Sequence, residues 1–294
     1  MRRKIYLTIA LSGAIGLGAM AGAAQAMTIA PMDSASNLAG SLVGSGITIS
    51  NATYSGSTLA SGYFSGGTAA GIGIESGIVL TSGYASNLNG TSNTSDGITG
   101  SLGLGSTPYL NALIPGYTTY DATILAFDFQ FGDGSTGGDA YFNFVFGSDE
   151  YNEWADSSFN DVFGFFLDGT ALSNNVALIP GTSVPVSINN VNASSDDYPQ
   201  YYNNNDPGPY PFEYDGFTDV FTVSMLGLGA GSHHIILAIA DAGDHILDSG
   251  VFIQGSSFAD NPVDPDNPVP EPATMLLFGT GLAGLMGSRL RRKK

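Results

Sequence analysis

Ala140-Tyr-Phe-Asn-Phe-Val-Phe146 runs into Gly147-Ser-Asp-Glu-Tyr-Asn-Glu-Trp-Ala-Asp156 and, six residues on, into Val162-Phe-Gly-Phe-Phe-Leu167. In the first run a period of two sets Phe142, Phe144 and Phe146 on one face and Tyr141, Asn143 and Val145 on the other, as a β-strand requires. The last run is apolar on both faces, which predicts a central strand under a covering layer. Between the two lies an acidic, Gly- and Asn-punctuated turn. Strand, acidic turn, strand is the unit from which the rest is read.

Outward from it, short runs rich in Val, Ile, Phe, Tyr and Thr recur between Gly, Asn, Asp and Ser. Strands are predicted over residues 77–81, 123–131, 140–146, 162–167, 184–191, 219–225, 233–240 and 251–255. No helical period exceeds two turns between residues 28 and 260. The expectation is an all-β fold, an antiparallel β-sandwich of jelly-roll-like arrangement. Residues 33–120, poor in charge and rich in Gly, Ser, Thr and Asn, hold too little apolar material for a core of their own, so they are assigned to the same domain. The stretch 199–211, Pro-Gln-Tyr-Tyr-Asn-Asn-Asn-Asp-Pro-Gly-Pro-Tyr-Pro, reads as a loop.

Charge is distributed unusually. The chain has 8 Lys and Arg against 26 Asp and Glu, and every basic residue falls within residues 2–4 or 289–294. The body cannot form one Lys or Arg salt bridge. An acidic body of this kind lacks the basic footprint of a nucleic-acid binder and is repelled by anionic membrane surfaces. With no Cys, disulfides contribute nothing to its stability.

The basic ends flank apolar segments. Arg2, Arg3 and Lys4, an apolar run, and Ala24-Gln-Ala26 have the layout of a secretory signal peptide, with Ala24 and Ala26 as the small-x-small pair before the cleavage point. The expected divisions are a signal helix over 1–26, a β domain over 27–260, a Pro-rich linker over 261–272, and an apolar helix with a basic tail over 273–294. The uncharged stretch 273–288 makes about 24 Å of helix against a hydrocarbon core of about 30 Å, a marginal span suited to transient membrane insertion.

Two acidic stretches are candidates for chemistry. One carries Asp149, Glu150, Glu153, Asn160 and Asp161; the other, Asp241-Ala-Gly-Asp-His-Ile-Leu-Asp248, carries Asp241, Asp244 and Asp248. Calcium takes six to eight carboxylate, amide and backbone oxygens, and Gly-punctuated acidic turns can wrap such an ion. Neither stretch has EF-hand spacing. The competing reading has these residues capping their own turns. Glu150 and Glu153 would be the carboxylate pair of a glycoside hydrolase; with carboxylates so numerous, such a pair arises by chance, and catalysis is not expected. Three His without Cys make a poor zinc set, and no nucleophile elbow or phosphate loop precedes a helix. Trp154, the only Trp, offers a ring for stacking on a sugar or a plug for the sandwich end; with the Tyr-rich segment 198–214 it would form the face of a carbohydrate-binding module.

Two resemblances follow. The motif Val269, Pro270, Glu271 and Pro272, the short apolar segment behind it and the basic tail resemble the PEP-CTERM protein-sorting signal of Gram-negative bacteria. That resemblance implies passage through the secretion machinery, recognition and removal by an exosortase, and a destination at the cell surface or in the extracellular matrix. The segments 144–154, 159–169 and 237–253, with Gly73-Ile-Glu-Ser-Gly-Ile-Val-Leu-Thr81 as an opening, resemble the choice-of-anchor L domain over about residues 40–258. It implies a secreted, non-enzymatic β domain and no particular ligand. Together with the acidic turns, these lead to the expectation of a calcium-stabilised structural protein of the biofilm matrix, associated with extracellular polysaccharide.

Overall fold

A computed structural model describes residues 27–90 and 92–265. The expected signal helix with its Ala24 and Ala26 cleavage pair, the sorting motif Val269, Pro270, Glu271 and Pro272, and the C-terminal apolar helix all lie outside the described residues. Two antiparallel sheets pack face to face. The strands are β1 (Thr28–Pro31), β2 (Ile47–Ser55), β3 (Ser61–Ser65), β4 (Ser76–Thr81), β5 (Thr119–Phe131), β6 (Gly138–Ser148), β7 (Val162–Leu167), β8 (Tyr202–Asn204), β9 (Gly216–Thr218), β10 (Phe221–Leu228), β11 (His233–Ala242) and β12 (Ser249–Gln254). The larger sheet has the order β1-β3-β4-β12-β6-β9-β8, with β10 also paired to β6; the smaller is β2-β5-β11-β7. Twelve strands split eight and four exceed the eight of a jelly roll, and the sandwich is the level at which expectation and structure coincide. The helices are short: α1 (Ala35–Leu42), α2 (Gly67–Ala70) and α3 (Pro108–Leu113).

The alternation in β6 works as its sequence dictates. Phe142, Phe144 and Phe146 enter the core between the sheets, where they meet Phe163 and Phe165 of β7. Phe144 stands edge-on to Phe163 at 5.0 Å and to Phe165 at 5.3 Å. Truncating such a ring to Ala costs about 3–5 kcal/mol. Val145, on the opposite face, joins a second apolar cluster with Val79, Phe252, Phe64, Phe212 and Tyr214, which covers the outside of the larger sheet. A third cluster covers the smaller sheet, with Leu110 and Leu113 of α3 on Val162, Phe166 and Ala240.

These outer layers correct one expectation. β7 is apolar on both faces because both are covered, yet it is an edge strand of its sheet. Its open edge is met by the following segment through isolated bridges, Phe166 to Asn175 and Val162 to Ser187. Residues 184–191 belong to that segment and form no strand. Val186, Ile188 and Val191 are buried in the main core, but Pro185 removes a donor and residues 188–190 turn. Residues 33–120 divide between both sheets, through β2 to the smaller and β3 and β4 to the larger.

Antiparallel pairing places particular connections at one end. Ser148 pairs with Ser249 and with Gly216, Gly250 with Thr81, and Ala242 with Thr119. The ends of β4, β6 and β11 and the starts of β5, β7, β9 and β12 therefore meet at the same end of the sandwich. The segments joining them, 82–118, 149–161, 205–215 and 243–248, gather there.

Candidate functional site

At this end carboxylates are buried. Asp121, Asp149, Glu150, Asp161, Glu213, Asp215, Asp241 and Asp248 are all shielded from solvent, although the body carries no Lys or Arg. Both sheets contribute: Asp121, Asp161 and Asp241 lie on or beside strands of the smaller, and Asp149, Asp215 and Asp248 flank strands of the larger.

Some of these groups are satisfied. Asp161 accepts hydrogen bonds from the Ala242 N–H (2.8 Å) and the Ser249 hydroxyl (2.6 Å). Asp121 accepts from the Leu102 N–H at 2.9 Å and from the Leu104 N–H. Glu213 accepts from the Thr94 N–H at 3.1 Å and from its hydroxyl. All three accept from distant parts of the chain and do not cap their own turns. Others are not satisfied. Among the described residues, Asp149 Oδ1, Glu150 Oε2, Asp215 Oδ2 and both oxygens of Asp241 and of Asp248 are buried without a hydrogen-bond partner. Asp241 faces the Ser82 hydroxyl, and Asp248 the N–H groups of Tyr84 and Gly100; both contacts favour the charged forms but fall short of hydrogen-bond geometry. A buried acceptor without a partner costs roughly 1–3 kcal/mol, and more if charged.

Electrostatics express the same conflict. Burial pushes Asp149 up to about 9, reinforced by the charges of Asp215, Glu213 and Asp248 and opposed by the Ile98 N–H. Burial likewise carries Glu150 to about 10, with Asp161, Asp244 and Asp149 adding repulsion. Asp161 rises to about 8 through burial, against its hydrogen bonds from Ser249 and Ala242. Burial takes Asp215 to about 7 and Asp248 to about 6. Asp241 is raised far above the carboxylate range, by burial first and then by Asp161 and Asp248. Such a set is stable only if it holds protons or shares cations.

Among the described residues, the cationic candidate beside these groups is His245, whose Nδ1 lies 3.1 Å from Asp121 Oδ2 while its ring leans on Tyr120. Two glycines permit the close approach of the linkers. A Cβ on Gly83 would overlap the Asp248 carboxylate, and one on Gly243, where φ is +101°, would meet the Ser158 carbonyl oxygen at 2.6 Å.

Of the residues expected from sequence, Asp149, Glu150, Asp161, Asp241 and Asp248 come together here. Asn160 is buried nearby, with its oxygen taken by the Asn189 N–H at 2.9 Å. Asp244 caps the Ile246 N–H at 3.0 Å. Glu153 is exposed on the turn. Trp154 is 42% exposed and stands edge-on to Phe159 at 5.1 Å, so it does not plug the sandwich. The tyrosines of the 198–214 segment turn inward instead: Tyr214 is buried, Tyr210 packs edge-on against Phe217, and Tyr201 against Phe221. Sequence reasoning missed Asp121, Glu213 and Asp215, each an acid beside an aromatic residue close to the start of a strand and outside the two acidic stretches.

Among the described residues, no group of three or more His, Cys, Asp or Glu side chains is arranged to hold a metal ion. A cation here would draw on a few carboxylate oxygens together with backbone, amide and water oxygens, a set that a hard ion such as calcium accepts.

A family model, the choice-of-anchor L domain, matches residues 28–259. The chain belongs to the choice-of-anchor L family. A second model, the PEP-CTERM protein-sorting motif, matches residues 268–293, a span that takes in Val269, Pro270, Glu271 and Pro272. A choice-of-anchor L chain ending in this motif is an exported protein sorted to the cell surface by an exosortase. No curated protein and no solved structure matches the chain.

Proposed function

We propose that this choice-of-anchor L protein is a non-enzymatic structural component of the cell surface or extracellular matrix of a Gram-negative bacterium, with one end of its sandwich closed by calcium. The observation that carries the reading is the pair Asp241 and Asp248: four buried carboxylate oxygens without partners, Asp161 beside both, and no Lys or Arg in the body. Calcium would neutralise them and hold the 243–248 linker against the 149–161 turn. The acidic exterior, with its surface address, would bind anionic extracellular polysaccharide through further divalent ions and so add cohesion to a biofilm.

Thermal unfolding of the purified protein with calcium, and after exhaustive chelation, tests this. Calcium is expected to raise Tm substantially. Superimposable curves after complete removal of pre-bound ion would overturn the reading.

A second reading, a calcium-dependent carbohydrate-binding module, rests on Trp154, an exposed aromatic ring within the acidic turn. It predicts saturable binding to particular glycans, lost in Trp154→Ala. A glycosidase is disfavoured by Glu150, whose burial would keep a substrate from half of the proposed pair. Turnover of matrix polysaccharide that dies in Glu150→Gln would revive it.

A further inference from the structure

The segment 93–98 crosses the acidic end and is held there largely by side-chain acceptors. Asn93 Nδ2 donates to Asp215 Oδ1 and, at 3.1 Å, to the Asn205 carbonyl oxygen. Thr94 donates through its N–H and hydroxyl to Glu213. The Ile98 N–H donates to Asp149 Oδ2. Asp149 and Asp215 thus share a pattern: the segment occupies one oxygen of each carboxylate, and the other, Oδ1 of Asp149 and Oδ2 of Asp215, is buried without a partner. Both residues are almost wholly buried, at 1% and 0% exposure. Their charges oppose each other, since Asp215 is the leading charged neighbour acting on Asp149.

The 205–215 loop that presents Asp215 is itself tightly specified. Asn205 donates from Nδ2 to the carbonyl oxygens of Phe212 and Tyr214 (2.9 and 2.8 Å), and its N–H bonds the Asp215 carbonyl oxygen at 2.7 Å. A loop so fixed, aiming an unpartnered carboxylate oxygen inward, is a positioned ligand rather than a solvated acid. None of these residues beyond Asp149 belongs to the acidic stretches singled out in the sequence.

We propose a second divalent-cation position between Asp149 and Asp215, separate from that of Asp241 and Asp248, which fastens the 93–98 segment and the 205–215 loop to the end of β6. It rests on the reading that buried carboxylates at this end take calcium. The ion is of the calcium class because every donor is oxygen. Its effect is to join three connections, those between β4 and β5, β6 and β7, and β8 and β9, into one unit.

Calcium titration of the chelated protein by calorimetry, with hydrogen exchange of residues 93–98 as a second readout, tests this. Wild type is expected to take up two equivalents, and Asp215→Asn one, with exchange of the segment accelerated roughly tenfold in calcium while the Tm gain from the remaining ion persists. Uptake of a single equivalent by wild type, or two by Asp215→Asn, would overturn the second position and leave the calcium reading intact. No uptake by wild type would overturn both. Should Asp215→Asn fail to fold, the wild-type stoichiometry alone decides.

Discussion

The two ends of this sandwich carry the same kind of side chain and treat it in opposite ways. At the end where β11 begins, Asp168 lies 2.7 Å from His233 Nδ1, and Asp128 lies 2.6 Å from His234 Nδ1 while accepting from Asn51. Asp139 accepts from the Gly227 N–H at 2.7 Å, and Asp133 from that of Ser135. These carboxylates are reached by water, and hydrogen bonding to Asn51 and then His234 holds Asp128 below the usual carboxylate range. At the end where β11 finishes, Asp241 and Asp248 are buried and without a hydrogen-bond donor. An acid at the first end is satisfied where it stands; at the second, Asp121, Asp161 and Glu213 are satisfied by the chain as well, but Asp241 and Asp248 are not. The contrast teaches that acidity alone says little about this chain and that burial decides what each carboxylate does.

The largest test of the contrast is pH. Asp149, Glu150, Asp161, Asp215 and Asp248 all have folded-state pKa values, about 9, 10, 8, 7 and 6, above the unfolded value near 4. These groups bind more protons in the folded protein than in the unfolded chain, so the stability they contribute is full below about pH 4 and is lost as pH rises through those values. In chelator, Tm should fall by at least about 10 °C between pH 5 and pH 9. Calcium, which binds the deprotonated groups, should abolish the fall. A Tm that rises with pH in chelator would mean the buried end is not charged against itself.

Asp241→Asn should change sign with the solvent. In chelator at pH 8 it removes an acid that folding must either bury charged or protonate, and should raise stability by about 1–3 kcal/mol; in calcium it should be less stable than wild type. Urea unfolding under both conditions reads this directly. Gly83→Ala comes next: its Cβ would overlap the Asp248 carboxylate, so that side chain must move, at about 1–3 kcal/mol and with a reduced calcium gain in the same urea experiment. The smallest effect belongs to the other end. His234→Ala should cost about 0.2–1 kcal/mol, the same with and without calcium.

The sequence disclosed those parts whose physics is local. β4 to β7 and β10 to β12 announce themselves because their buried residues alternate, as in β10, or run unbroken, as in β4, β7 and β12. β1, β2, β3, β8 and β9 do not, since they are short or, like Ile47–Ser55, carry mostly exposed Thr, Ser and Asn. Val186, Ile188 and Val191 have the apolar pattern of a strand and are indeed buried, but the chain uses them as an irregular cover for the edge of β7. The acidic linkers were legible as clusters, and five of their residues do meet. Asp121 and Asp215 were not, because each lies outside those clusters and is delivered by long-range register: Asp121 through the pairing of β5 with β11, and Asp215 through that of β9 with β6. The sorting motif was legible for a different reason: Val269, Pro270, Glu271 and Pro272 act as a contiguous string and need no fold to bring them together.

We propose that calcium occupies the buried acidic end. Anomalous diffraction from crystals grown in calcium, recorded at long wavelength, tests it most directly. A strong peak is expected within about 2.3–2.6 Å of carboxylate oxygens of Asp241 and Asp248. A featureless map there, with both side chains ordered, would contradict it.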